Sequence, residues 1–94
     1  MKSTPLDESQ SDIPPEEVFE ILGNEIRMGI LRALWEADGH RASFSELRKA
    51  VGMRDSGQFN YHLDKLVGHF VSATGDGYAL RQAGKRVIET VLSG

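Results

Sequence analysis

Residues 55–67 combine an apolar face with a polar face at helical spacing. The apolar residues recur at intervals that place them on one side of a helix: Phe59, Leu63, Leu66 and Val67. The opposite side carries amides, a phenol and an ammonium, from Gln58, Asn60, Tyr61 and Lys65. Groups of this kind can hydrogen-bond to base edges and phosphates in the major groove of DNA. The pattern predicts a helix whose inner side is core and whose outer side can read nucleic acid.

Two helices are predicted before this segment. Pro14 and Pro15, followed by early glutamates, favour the start of the first. Gly23 interrupts it, and Asn24 is a suitable N-cap for a second helix that ends near Ala37. The apolar side of the first helix consists of Val18, Phe19, Ile21 and Leu22. The apolar face of the second consists of Ile26, Ile30, Leu31 and Leu34.

A short helix and a hairpin complete the pattern. After a short extended approach at residues 41–44, Ser43 and Glu46 form a capping box ahead of a helix that Gly52 ends. Asp55 or Ser56 is expected to cap the following helix, which runs to Val67. Residues 70–73 and 78–80 are typical of two strands around a tight turn, and a last helix is expected from about residue 81 to 92. This order predicts a mainly α (α+β) fold, a winged helix-turn-helix with a two-stranded β-wing and a C-terminal helix.

Composition and charge narrow the class of protein. The chain of 94 residues has no cysteine, which excludes disulfides and thiolate metal sites. No apolar run approaches the roughly 20 residues of a membrane span, and the first residues lack a signal-peptide core, so a cytoplasmic protein is expected. Residues 1–14 are predicted to be a disordered acidic tail, ahead of one domain over residues 15–94. The tail is either a solvated extension or a segment that competes with DNA for the basic face.

Charge is unevenly distributed along the chain. Residues 1–23 carry one lysine against six carboxylates, whereas residues 24–94 carry ten basic against eight acidic side chains. The acidic side chains are therefore concentrated in residues 1–23, and residues 24–94, which include the helix predicted to read nucleic acid, have a small net positive charge. This distribution of charge is compatible with DNA binding but is not evidence for it.

Several motifs in this order resemble those of ArsR-like winged helix-turn-helix regulators, and the archaeal, particularly haloarchaeal, type is most similar. They are L-G-N-E-I-R at residues 22–27 with Ile30 and Leu31, Y-H-L-D-K-L at residues 61–66, and G-Y-A-L-R-Q-A-G at residues 77–84. The resemblance covers about residues 16–92. It implies sequence-specific binding of double-stranded DNA by a homodimer that regulates transcription sterically, with no cofactor.

In such regulators the helix after the turn lies in the major groove and the wing touches the neighbouring groove or backbone. The resemblance implies that Gln58, Asn60 and Tyr61 face bases or phosphates. Arg54 and Lys65 would lie on flanking phosphates, with Ser56 at the positive end of the helix dipole. Apart from the resemblance, a continuous basic strip along the surface would favour DNA over a protein partner, and its expected members are Arg48, Lys49, Arg54, Lys65 and Arg81. The complete expected DNA-binding set is Arg54, Ser56, Gln58, Asn60, Tyr61, Lys65 and Arg81.

Metal binding and catalysis are not expected. The metal-sensing branches of the family use cysteines, or Asp and His on the C-terminal helix, where this chain offers only Glu89. No strand-turn-helix elbow presents a nucleophile, and no cluster of perturbable groups is visible. His62, beside the apolar face, is more consistent with a hydrogen-bonded, half-buried histidine than with a base contact or a pH switch.

A competing hypothesis is a winged-helix module that binds protein without contacting DNA. The turn at residues 74–77 has no Lys or Arg and presents Asp76, and Asp55 and Asp64 neutralise the reading helix locally. Interface cores enrich aromatics such as Tyr61 and exclude charge, whereas DNA-binding faces collect cations. Both hypotheses are carried forward.

The apolar residues of the first and last helices have two interpretations. They either close the core or form a two-fold interface, and the surplus of apolar positions favours a dimer. The expected interface residues are Val18, Phe19, Leu22, Val87, Ile88, Val91 and Leu92.

Overall fold

The computed structural model describes residues 13–93, so the first twelve residues of the predicted tail lie outside the described range. The chain begins with two helices, α1 (Pro15–Leu22) and α2 (Glu25–Glu36). A 3₁₀ turn (Asp38–His40) leads to a short strand, β1 (Arg41–Ala42). Two more helices follow, α3 (Phe44–Val51) and α4 (Ser56–Leu66). A hairpin of β2 (Val71–Ala73) and β3 (Tyr78–Leu80) precedes the last helix, α5 (Gln82–Ser93).

This arrangement is the predicted mainly α, winged helix-turn-helix fold, in which α3 and α4 flank the turn and the hairpin is the wing. The sheet differs from the expectation in one respect. Residues 41–42 do more than approach α3, because they pair antiparallel with β3, so the sheet has three strands in the order β1-β3-β2. Strand β3 of the wing is therefore hydrogen-bonded on both sides, and its pairing with β1 anchors the wing to the rest of the domain.

The predicted helix caps are present and explain where the helices start. The Asn24 side chain accepts hydrogen bonds from the N–H groups of Ile26 and Arg27 at 2.9 and 3.1 Å. Ser43 and Glu46 form the reciprocal capping box, with distances of 3.1 and 2.9 Å. Asp55 caps α4 by accepting from the N–H of Gln58 at 3.0 Å. Each cap satisfies backbone donors that a helix start leaves unpaired, so these polar residues define the element boundaries.

One apolar core unites all five helices with the wing. Phe59, Leu63 and Leu66 of α4 are fully buried, as predicted from their spacing. Helix α2 is central and packs against α1, α3, α4, α5 and the sheet. Ile13, just ahead of α1, also packs against this core. The buried apolar set is Ile21, Ile30, Leu31, Leu34, Leu47, Phe59, Leu63, Leu66, Phe70, Val71, Leu80 and Ile88. Within residues 13–93, no helix is long and apolar enough to cross a membrane.

The wing lies unusually close to β1 at Gly77. A Cβ atom built on Gly77 would lie 2.5 Å from the backbone oxygen of Ala42, and backbone atoms cannot rotate away as a side chain does. A Cβ atom on Gly75, two residues earlier in the same turn, would meet nothing within 4 Å. Glycine at position 77 is therefore required by a backbone contact rather than by the turn itself.

We predict that Gly77→Ala lowers the free energy of unfolding by about 1–3 kcal/mol, because the added methyl must push the wing away from β1. Urea unfolding followed by circular dichroism measures this difference. Gly75→Ala is the matched control and should cause no loss. Equal stabilities of the two variants would show that the close approach does not constrain the wing.

Candidate nucleic-acid interface

The turn between α3 and α4 is held by Arg48. One terminal nitrogen of its guanidinium donates to the backbone oxygens of Met53 and Arg54, at 3.3 and 3.0 Å. Gly52 ends α3 in the left-handed conformation, with φ of 72°, which glycine adopts without a steric penalty. The angle at which α4 leaves the turn is thus set by a hydrogen-bonded cation at its base. Sequence reasoning placed Arg48 on a basic surface strip and did not identify this role.

The outer side of α4 is exposed along its whole length. Gln58, Asn60 and Lys65 are exposed, and Tyr61 retains 53% of its accessible surface. Arg54 in the turn and Ser56 at the first position of α4 are exposed as well. The predicted polar face therefore projects from a helix whose inner side is anchored in the core. Its hydrogen-bonding groups are available to a ligand.

Arg81 lies beside the other end of α4. Its guanidinium donates to the backbone oxygen of Gly68, two residues beyond the helix. The side chain is exposed, but this hydrogen bond fixes it near the C-terminus of α4 rather than leaving it free to extend. All seven predicted DNA-binding residues are exposed, and they lie in the turn before α4, on α4 and at the end of the wing.

The charge of this surface is balanced. Arg54 and Lys65 are offset by Asp55 and Asp64, and Asp55 uses its carboxylate as the cap of α4. The ammonium of Lys65 lies 5.4 Å from the centroid of the Tyr61 ring, within the range of a cation–π contact. At the tip of the wing, the carboxylate of Asp76 accepts a hydrogen bond from the hydroxyl of Thr74 at 3.3 Å. The field that attracts phosphate is therefore modest and comes mainly from α4 and its flanks.

Beneath Tyr61 lies a buried cation, Arg27, which is only 7% exposed. Its Nη1 donates to the backbone oxygens of Glu20 and Ile21, at 3.4 and 3.3 Å, and its Nε donates to Nδ1 of His62 at 3.1 Å. The guanidinium carbon lies 5.8 Å from the Tyr61 ring centroid. Among residues 13–93 no carboxylate lies within ion-pair distance of Arg27. Its charge is instead compensated by carbonyl oxygens at the C-terminus of α1, where the helix dipole is negative.

His62 is neutral in this arrangement, for a geometric reason. A guanidinium can only donate, so Nδ1 of His62 must be the acceptor and the ring proton must be on Nε2. Burial lowers the pKa of His62 below its ordinary value of 6.5, and the neighbouring charge of Arg27 lowers it further. The histidine is half-buried and hydrogen-bonded, as expected, but its partner Arg27 lies 35 residues away in the sequence.

The predicted dimer residues divide into exposed and buried groups. Phe19 is 75% exposed, and Val91 and Leu92 are 56% and 47% exposed. Val18, Leu22 and Val87 are partly buried and pack against the core of the same chain. Ile88 is only 1% exposed, so its assignment to an interface was wrong: it belongs to the core. In the described part of the chain, no group of three or more His, Asp or Glu side chains is placed to hold a metal ion.

Residues 15–91 match the model of one protein family, described as a domain of unknown function, DUF7347. The chain belongs to the DUF7347 family. The match covers the fold from the first residue of α1 to the last turn of α5, so the exposed face of α4 and the hydrogen bonds of Arg27 both lie within the DUF7347 domain. No curated protein and no solved structure matches the chain. The family description names no activity, so the resemblance to ArsR-like regulators stays a prediction.

We predict that the DUF7347 domain loses stability as the pH falls below 6.5 through the titration of His62. The native pKa is below the unfolded value of 6.5. Between the two values the unfolded chain binds more protons. The contribution is therefore complete above pH 6.5 and decreases as the pH falls towards the native pKa.

Urea unfolding at about pH 7.5 and about pH 5.5 compares the stability above the unfolded pKa of 6.5 with the stability below it. His62→Asn retains an acceptor near the position of Nδ1 but cannot titrate, so its free energy of unfolding should change less between the two conditions. His69→Asn, at an exposed histidine just beyond α4, is the control and should follow the parent protein. Equal pH dependence in all three proteins would contradict the assignment.

Proposed function

We propose that the DUF7347 domain binds double-stranded DNA sequence-specifically and regulates transcription, with α4 as the recognition helix. The observation that carries this proposal is the exposure of Gln58, Asn60 and Tyr61 on a helix whose opposite face is fully buried. An anchored helix that presents amides after a tight turn is the element that helix-turn-helix proteins insert into the major groove. The resemblance to ArsR-like regulators and a cytoplasmic location are consistent with it.

Each residue has a distinct role in this proposal. Gln58 and Asn60 carry the amides that can make paired hydrogen bonds with adenine, so they are proposed to read bases. Arg54 and Lys65 flank them and are proposed to contact phosphates, which position the helix without specifying sequence. Ser56 and the first N–H groups of α4 lie at the N-terminus of the helix, where the positive end of the helix dipole favours a phosphate. Arg81 is proposed to meet the backbone beside the wing.

The small number of cations has a measurable consequence. Neutralising about three or four phosphates per protomer gives a shallow dependence of the binding constant on salt concentration. Affinity would then rest more on base contacts and shape than on the general attraction between cations and DNA.

A homodimer is the proposed binding unit. Phe19, Val91 and Leu92 leave large apolar surfaces in water near the ends of α1 and α5, and self-association would remove them from solvent. Two recognition helices separated by about 34 Å would meet successive major grooves on one side of B-DNA. The operator would then be partly palindromic.

A protein-binding module is the second candidate function. The Asp76 carboxylate at the wing tip repels phosphate, and the charges on α4 balance. Exposed Tyr61 is the type of side chain that anchors protein interfaces. In this case the α4 surface would bind a protein and duplex DNA would not compete.

We predict that Gln58→Ala or Asn60→Ala weakens binding to a selected duplex by about 1–3 kcal/mol and relaxes preference at the base pair concerned. Fluorescence anisotropy, with a duplex selected from a random pool, measures the affinity. Thr90→Ala, at an exposed position on α5, is the neutral control. Lys65→Ala should weaken all sequences alike, because a phosphate contact carries no base information. Unchanged binding in both classes of variant would exclude α4 from the groove.

We also predict that Phe19→Asp converts the dimer into a monomer, because it places a charge in the centre of the proposed interface. Sedimentation velocity measures the change in mass. The fold should tolerate the substitution because this side chain is 75% exposed. Ala73→Asp, on the exposed side of the wing, is the control and should leave association unchanged. A monomeric parent protein at micromolar concentration would count against the dimer.

A further inference from the structure

Arg27 connects three helices through one guanidinium. It donates to the last turn of α1, it lies on α2, and it donates to His62 on α4. The same group lies over one side of the Tyr61 ring, which belongs to the exposed face of α4. A continuous set of contacts therefore runs from the helix that carries Phe19 to the surface proposed to meet DNA.

The link between α2 and α4 depends on the protonation state of His62. Its Nδ1 accepts from Nε of Arg27 only while the ring is neutral. A proton on Nδ1 would turn the acceptor into a donor and set an imidazolium against a guanidinium. The backbone oxygens of Glu20 and Ile21, which α1 contributes to this cluster, already accept hydrogen bonds from Arg27. On α4 the Tyr61 ring that contacts Arg27 also contacts a second cation, Lys65.

We propose that Arg27 is a positioning residue for Tyr61, and that protonation of His62 releases it and so weakens ligand binding at α4 in acid. Loss of the Nε hydrogen bond removes the contact that holds the guanidinium between α2 and α4. Repulsion then moves Arg27 away from His62, and the Tyr61 ring loses one of the two cations that flank it. The effect on binding rests on the proposed DNA-binding function, whereas the release of Arg27 does not.

The burial of the pair supports this coupling. Desolvation and the charge of Arg27 both lower the pKa of His62 from 6.5, so the ring stays neutral at pH 7 and gains its proton only at lower pH than an ordinary histidine. The hydrogen bond between Arg27 and His62 lowers the pKa of His62, and by linkage protonation of His62 weakens that hydrogen bond to the same extent. A solvated histidine without a partner would take up its proton with no structural consequence.

The release can be measured without any ligand. In NMR spectra recorded from about pH 8 to about pH 5, the Arg27 Nε–H signal and the Tyr61 ring signals should change with one shared midpoint below 6.5, the midpoint of the His62 ring itself. His62→Asn should show no such transition at Arg27 or Tyr61, and His69→Asn should show it unchanged. Titration of the His62 ring while the Arg27 and Tyr61 signals remain constant would overturn the proposal.

The consequence for binding is tested separately, by anisotropy with the selected duplex at about pH 7.5 and about pH 5.5. Specific affinity of the parent protein should fall about fivefold or more, a change typical of coupled sites. His62→Asn should retain its affinity, and His69→Asn should behave as the parent. Equal losses in the parent and in His62→Asn would overturn the proposed regulation. An NMR transition at Arg27 and Tyr61 with no DNA binding at any pH would support the release and refute the proposed function.

Discussion

The architecture depends on burying a guanidinium that has no carboxylate within ion-pair distance in the described part of the chain. Moving such a charge out of water costs several kcal/mol unless polar groups replace the solvent. Arg27 finds these groups in two carbonyl oxygens at the end of α1 and in one histidine nitrogen on α4. The last turn of α1 contains no basic residue, so Arg27 supplies from α2 the positive charge that a helix C-terminus favours.

The hydrogen bonds from Arg27 add to the apolar contacts that hold α1 against the domain. Helix α1 has eight residues, and of these only Ile21 is fully buried. An isolated helix of this length is marginal in water. Its attachment therefore relies on a few apolar contacts together with hydrogen bonds from a charged donor, each worth about 1.5–3 kcal/mol. The orientation of α1, and with it the direction in which Phe19 points, is thereby tied to the same cluster that supports Tyr61.

Much of the fold could be predicted from local chemistry. The caps at Asn24, Ser43 and Asp55 and the buried face at Phe59, Leu63 and Leu66 are properties of short segments, and the structure confirms them. The exposed polar side of α4 follows from the same periodicity. Strand β1 was not predicted because two residues carry no periodic pattern, and its pairing with β3 joins positions far apart in the chain.

The errors at the candidate site have related causes. Ile88 was placed at an interface because periodicity marks an apolar stripe without saying which edge of it meets the core. The role of Arg27 was missed because its contact with His62 spans 35 residues. A signal for it was present, since Arg27 precedes Ile30, Leu31 and Leu34 by three, four and seven positions and therefore lies on the buried stripe of α2. A cation on the buried side of a helix needs hydrogen-bond acceptors from neighbouring helices, and only the tertiary structure shows which residues supply them.

The contact between Gly77 and Ala42 has a further consequence for recognition. Because β3 is hydrogen-bonded to a strand on each side and Gly77 lies against the backbone of Ala42, the hairpin is joined to the rest of the domain through β1. In the proposed DNA complex this pairing would restrict how far the wing can move relative to α4, whereas a hairpin without it would adjust to grooves of different width. A duplex that contacts both α4 and the wing would need a groove of matching width or would have to deform. The preference for one DNA sequence over another would then depend on the stiffness of the duplex at base pairs that no side chain touches.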